Sequence, residues 1–508
     1  MLLVIPIDLG MHYPNTQQGI TKHANPQNKA SKMRISIKKP FFALLAGVAL
    51  AGCAANNSKP AVEIAPQSVS STQQQGVHHY QLDNGLKIFV KEDHRAPVAI
   101  SQLWYKVGAS YEYGGITGVS HVLEHMMFKG TKDYGPNEFS KIIAANGGRE
   151  NAFTGRDYTA YFQTLEASRL EVAFKMESNR MRNLRLNEEE FQKEVKVVME
   201  ERRMRTEDKP TALTYEQFNA TAYVNSPYQN PVIGWMDDLE NMELNDLQQW
   251  YQSWYAPNNA VLVVVGDVDP QHIYQLAKKY YGPIKPSETA TPKPRNEIKP
   301  LGEKQITVKA PAELPYFIMG YQVPVVRTAE ISWEPYALDM LASVLDGSKS
   351  ARFSKELVRN QQIAANAGAG YSLFSRHNEQ FLFDGTPANG HSIEALQAAI
   401  LEQIERVKTE LVSENELERI KAKVITSKVY ELDSIFYQAM KIGLLETVGL
   451  DYRLQDDYLD NIKAVTPEQI REVANKYLIE DRRTTAVLKP QPLDNHSAAV
   501  TTGDRNAY

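Results

Sequence analysis

Residues 282–300, "GPIKPSETATPKPRNEIKP", hold five prolines among Ser, Thr and Lys. Neither a helix interior nor a central strand tolerates that many missing N–H donors, so the stretch is a linker. The segments on its two sides follow one order. Before it come the strand-like "HHYQLDNGLKIFVKED", with the hairpin pair Asn84–Gly85, and "VAISQLWYKVGAS". A helical stretch follows, then "GGRENAFTGRDYTAYFQTL" as one or two strands, helices over about 166–206, and the buried strand "NNAVLVVVGDV". After the linker come strands "KQITVKA" and "PYFIMGYQV", a helix over "WEPYALDMLASVLDG", further strands, long helices to about Tyr477, and the closing strand "RTTAVLKP". The expected fold is α+β: two homologous domains, each a mostly antiparallel sheet with helices packed on one face. A length of 508 residues accommodates two such cores.

The expected boundaries are 77–281 for the first domain, 282–303 for the linker, 304–490 for the second domain and 491–508 for a flexible tail. A net charge of −5 with no basic block gives no footprint for nucleic acid. There is one cysteine, Cys53. Upstream of it, Arg34, Lys38 and Lys39 precede the apolar run "FFALLAGVALAG", which is too short to span a bilayer. With "LAGC" ending at Cys53, residues 1–53 resemble an upstream extension plus a bacterial lipoprotein signal, its natural start at Met33. The other reading is a plain secretory signal whose cysteine is incidental. The lipoprotein resemblance implies lipidation of Cys53, a polar tether over 54–76, and anchoring without spanning. Ala54 after the cysteine implies the periplasmic face of the outer membrane.

The chemistry concentrates in "GVSHVLEHMMFKGT". On a helix, His121 and His125 lie one turn apart on one face and can reach a common cation. Two nitrogen ligands are insufficient, because catalytic zinc takes three protein ligands and keeps a position open for water. Glu124 is placed to accept a proton from that water, in the H-x-x-E-H order. Such a pattern arises by chance in roughly 1–2% of chains this long, so a third ligand must decide. The helix "EEEFQKEVKVVMEERRMR" aligns Glu194, Val198 and Glu201 along one stripe. Carboxylates beside apolar Val195 and Val198 are costly unless compensated. A dication would pair with one and a ligand-orienting hydrogen bond with the other. Glu200 is a second candidate ligand, but it points about 100° away from the stripe.

His121, Glu124 and His125, followed 76 positions later by Glu201, resemble the pitrilysin, insulysin and mitochondrial processing peptidase family. "GGRENAFTGRDYTAY", "SPYQNPVIGW" and "YAPNNAVLVVVGDV" match further blocks of that family. The resemblance implies half of a clamshell-like zinc endopeptidase, of the short two-domain bacterial type, with one zinc ion per chain. His121, His125 and Glu201 would be the ligands, Glu124 the general base and Glu194 the supporting glutamate. An edge strand around Asn151, Ala152 and Phe153 would receive the peptide substrate. The family's Arg and Tyr from the opposite side are absent in this register. Val358 and Ala365 stand in their places, Arg359 is one position off and Tyr371 too far along. A homologous second subunit supplying Arg and Tyr is therefore expected, in a heterodimer first and a homodimer second. The alternative function is a non-catalytic peptide-binding or assembly subunit of a processing complex.

Overall fold

The computed structural model describes residues 76–289 and 292–493. Cys53, the signal, all of the tether before residue 76 and the tail beyond 493 lie outside the described residues. Strand β1 (Val77–Gln81) turns into β2 (Lys87–Glu92). The Asn84 amide fixes that turn by donating to the Tyr281 and Ile284 carbonyls at 2.8 and 2.9 Å. After β3 (Val98–Tyr105) come helices α1 (Val119–Met126) and α2 (Glu138–Ala145), then the hairpin of β4 (Arg149–Thr154) and β5 (Thr159–Glu166). Helices α3 (Leu170–Asn183), α4 (Glu188–Arg202), α5 (Pro210–Ala222), α6 (Met236–Asn241) and α7 (Leu244–Trp254) lead to β6 (Ala260–Gly266) and α8 (Pro270–Tyr280).

Beyond the linker the order recurs. Strands β7 (Lys304–Pro311) and β8 (Tyr316–Val323) precede α9 (Glu334–Asp346), a π-helical turn over Phe353–Asn360, β9 (Ala364–Gly370) and β10 (Glu379–Pro387). Helices α10 (Ile393–Thr409), α11 (Glu414–Glu431), α12 (Ile435–Val448), α13 (Leu454–Ala464) and α14 (Pro467–Tyr477) follow, and β11 (Arg483–Gln491) closes the chain.

The two sheets have strand orders β1-β2-β6-β3-β5-β4 and β7-β11-β8-β10-β9. Leaving out β1, the permutation is identical. Each sheet also has one parallel pair, β2 with β6 and β7 with β11, among otherwise antiparallel neighbours. Both sheets end on an edge strand, β4 in the first and β9 in the second.

Each sheet carries its main helical layer on one face, and the opposite face is covered as well. There the two halves exchange a helix. On β6 the residues alternate: Leu262 and Val264 join the large core under α1, α3 and α7, whereas Val261, Val263 and Val265 pack with Ala439, Met440 and Ile442 of α12. The unbroken apolar run of this valine-rich strand is the signature of a strand buried on both faces. Reciprocally, Phe218 and Ala222 of α5 lie against Val308, Ile318, Ala486 and Leu488 of the second sheet. Close approach governs the first contact: a Cβ on Gly443 of α12 would fall 2.1 Å from the Trp104 ring.

A buried polar seam ties the halves at the β4–β5 turn. Arg156 pairs with Glu379 at 3.3 Å, and Tyr223 donates to the same carboxylate at 3.1 Å. Asp157 accepts from Ser110, Tyr228 and the Arg376 backbone N–H. The second half thus holds the turn that continues the edge strand β4.

Candidate metal centre

Helix α1 is buried on all sides. Its N-terminus lacks a side-chain cap of its own, and Glu112 takes that role, accepting from the Gly118 and Ser120 N–H groups at 2.8 and 2.9 Å. Gly118 has φ +88° and its Cα abuts Gly234; a Cβ on either would meet the other's neighbouring carbonyl, Ile233 O at 2.7 Å or Thr117 O at 2.4 Å. The glycine of "VIGW" is therefore a packing requirement of the helix that carries the motif.

Helix α4 runs beside α1 and begins with the Asn187 side chain accepting from Glu190 N–H. Its buried stripe is Glu194, Val195, Val198 and Glu201. The two helices bring His121, His125 and Glu201 together, with one donor atom of each within 4.8 Å of the others. His121 Nε2 lies 3.9 Å from Glu201 Oε1, and His125 Nε2 lies 3.5 Å from Glu201 Oε2. Two ligands about 2.1 Å from a tetrahedral ion stand roughly 3.4 Å apart, so the spacing fits zinc. His125 Nδ1 faces Glu194 Oε2 at 3.3 Å, which turns its Nε2 toward the other two ligands. Glu200 points outward and pairs with Arg203. The stripe, not its neighbour, supplies the carboxylate.

The electrostatics favour a cation. Burial, with the His125 charge beside it, pushes His121 down to about 3. Burial works the same way on His125, but its bonds to Glu194 and Glu201 outweigh it and lift the ring to about 9. An imidazole held between two carboxylates draws positive charge into the site. Glu201 is drawn below its usual value despite burial, chiefly by the His125 hydrogen bond and then by His121 and Arg205. Burial raises Glu124 to about 7 against the opposing hydrogen bond from Thr154, whose Oγ1 donates to Oε2 at 2.5 Å.

The sequence between residues 87 and 235 matches the family described as "Insulinase (Peptidase family M16)", and residues 241–424 match "Peptidase M16 inactive domain". The chain belongs to peptidase family M16. Among M16 relatives, the Helicobacter pylori "Zinc protease PqqE" is 33% identical over 419 residues, covering 80% of this chain and 92% of that protein. The Bacillus subtilis "Uncharacterized zinc protease YmxG" is 26% identical over 412 residues, covering 80% and 96%. A solved protease from Helicobacter pylori superposes with a TM-score of 0.77 at 32% identity, over 82% of this chain and 99% of that one. The periplasmic protease PqqL from Escherichia coli superposes at 0.70 with 19% identity, over 84% of this chain and 50% of that one, and shows the fold alone. The two-domain M16 fold read from the sequence is thus the fold of the molecule.

Within this M16 chain the other expected residues fall as follows. Asn151, Ala152 and Phe153 lie on β4, the edge strand, immediately before Thr154 at its end. Arg359 is exposed and its guanidinium donates to the Lys349 carbonyl. Tyr371 is buried and donates to the Pro324 carbonyl at 2.5 Å. Neither reaches the site. Three residues of the centre escaped the sequence reading: Thr154 on Glu124, Arg205 at 2.7 Å from Glu201 Oε1, and Lys129 at 2.7 Å from Glu194 Oε1. Lys129 and Arg205 follow His125 and Glu201 by four residues, a spacing that could have flagged them.

Proposed function

We propose that the chain is a zinc-dependent endopeptidase cleaving short or unfolded peptides, and that it acts as the catalytic subunit of a dimer. The carrying observation is the buried convergence of His121, His125 and Glu201 with Glu124 one residue from a ligand. One zinc ion held by those three residues would supply Lewis-acid polarisation of the scissile carbonyl and lower the pKa of the attacking water. Glu124 removes a proton from the water as its oxygen bonds to the carbonyl carbon. It then delivers that proton to the amide nitrogen as the C–N bond breaks. Thr154 orients the carboxylate for both transfers. Strand β4 pairs with β5 on one side and has no strand partner on its outer side among the described residues, so an extended peptide can add there across Asn151, Ala152 and Phe153.

Val358 and Ala365 contribute no hydrogen-bond donor side chain to a developing oxyanion. The proposal therefore includes a homologous second subunit that brings Arg and Tyr, with a homodimer as the second arrangement. It also places the chain at the periplasmic face of the cell envelope, held by lipid on Cys53. Hydrolysis of a mixed peptide pool by the zinc-loaded chain, alone and with any copurifying homologue, tests the reading against a Glu124→Gln background. Cleavage is expected with the homologue and absent in the variant. Near wild-type cleavage by Glu124→Gln would overturn the mechanism, and full activity of the lone chain would remove the heterodimer.

A further inference from the structure

Lys129 lies in the turn that leaves α1, four residues beyond His125. Main chain fastens this turn to the segment entering α4. Arg185 N–H donates to the Gly130 carbonyl at 3.1 Å, Lys132 N–H to the Asn183 carbonyl at 2.9 Å, and Thr131 bridges Leu184. The lysine and Glu194 are thus set against each other by backbone rather than by chance of side-chain reach. The ammonium stands 2.7 Å from Glu194 Oε1, with the two side chains only 16% and 9% exposed. The second oxygen of that carboxylate is the one facing His125 Nδ1.

A terminal carboxylate torsion is broad and roughly two-fold, so one hydrogen bond to an imidazole does not fix its plane. A charge-assisted contact on the other oxygen does. We propose that Lys129 is a positioning residue of the metal centre: it pins Glu194 so that Glu194 holds His125 with Nδ1 as donor and Nε2 turned toward His121 and Glu201. Lys129 touches neither the ligand atoms nor the substrate strand, and it acts through Glu194 alone. The inference rests on the zinc reading above and names the support that the ligand set depends on.

The test is zinc affinity of the full chain, measured by competition with a chromogenic chelator, for wild type, K129M, K129R, E194Q and the K129M/E194Q pair. Loss of a partner behind a metal-binding histidine weakens the metal by about 10–100-fold, and that is the expected loss for K129M. K129R, which keeps a cation that can reach the carboxylate, should recover most of it. In the E194Q background K129M should add less than about twofold, because the residue it works through is already disabled. If K129M does not fold, K129Q replaces it in the same comparison. Unchanged affinity in K129M, or losses that simply add in the pair, would overturn the inference. A wild-type chain that binds no zinc would instead overturn the reading beneath it.

Discussion

The two halves share a strand permutation, one parallel pair each and a helix placed between the second and third strands of the repeat. They differ in what that helix buries. On α9 the buried acid Glu334 is satisfied by protein, accepting from the Tyr477 hydroxyl at 2.6 Å and from Lys476. Asp339 accepts from the Tyr458 hydroxyl at 2.6 Å. The remainder of α9 is core: Ala337, Leu338, Leu341, Val344 and Leu345. On α1 the corresponding layer holds two imidazoles that face one another and Glu201. The acids Glu334 and Asp339 of α9 are satisfied within the protein. The imidazoles of α1 and Glu201 of α4 form a set of ligand atoms that a cation would complete. The fold needs only that the layer be filled; the chemistry lies in which side chains fill it.

The largest expected effect separates base from ligand. Glu124→Gln should lower turnover by about 10²–10⁴-fold, the usual worth of a positioned general base, while zinc content stays at one per chain. Steady-state hydrolysis and metal analysis on the same sample check this. Loss of zinc in that variant would make Glu124 a ligand rather than a base. Next, Glu201→Ala should abolish stoichiometric zinc, whereas Glu200→Gln should leave it intact; reversed results would move the third ligand to the other glutamate.

Smaller effects concern the exchanged helices. Gly443→Leu forces a side chain into the Trp104 ring and should cost about 3 kcal/mol, at the upper end of overpacking penalties, in chemical denaturation. Because α5 and α12 each belong by sequence to one half and pack on the other, both halves should lose structure in a single transition. Two resolved transitions would mean that the exchange does not couple them. The smallest effect is Asp339→Asn, which should change stability by about 1 kcal/mol through one hydrogen bond and leave zinc affinity untouched.

Much of this was legible in the chain itself. The Pro-rich linker, the recurring element order and the His121, Glu124, His125 motif follow from local spacing, the Glu194–Glu201 stripe is visible as a costly pattern, and the choice of Glu201 as third ligand came from the family resemblance. The exchange of α5 and α12 was not, because a helix's apolar face does not say which sheet it covers. Only the unbroken run Val261–Val265 hinted that a second layer lay behind β6. Thr154 was illegible for a related reason. Its role depends on where the hairpin meets α1, and such a contact leaves no period in sequence.

The central claim is that the first half alone carries the metal. Anomalous scattering from crystals of the zinc-loaded chain, recorded at the zinc absorption edge, tests it directly. A single peak within ligand distance of His121, His125 and Glu201, with none beside α9, is the predicted result. A peak elsewhere, or none at those three residues, would contradict the account.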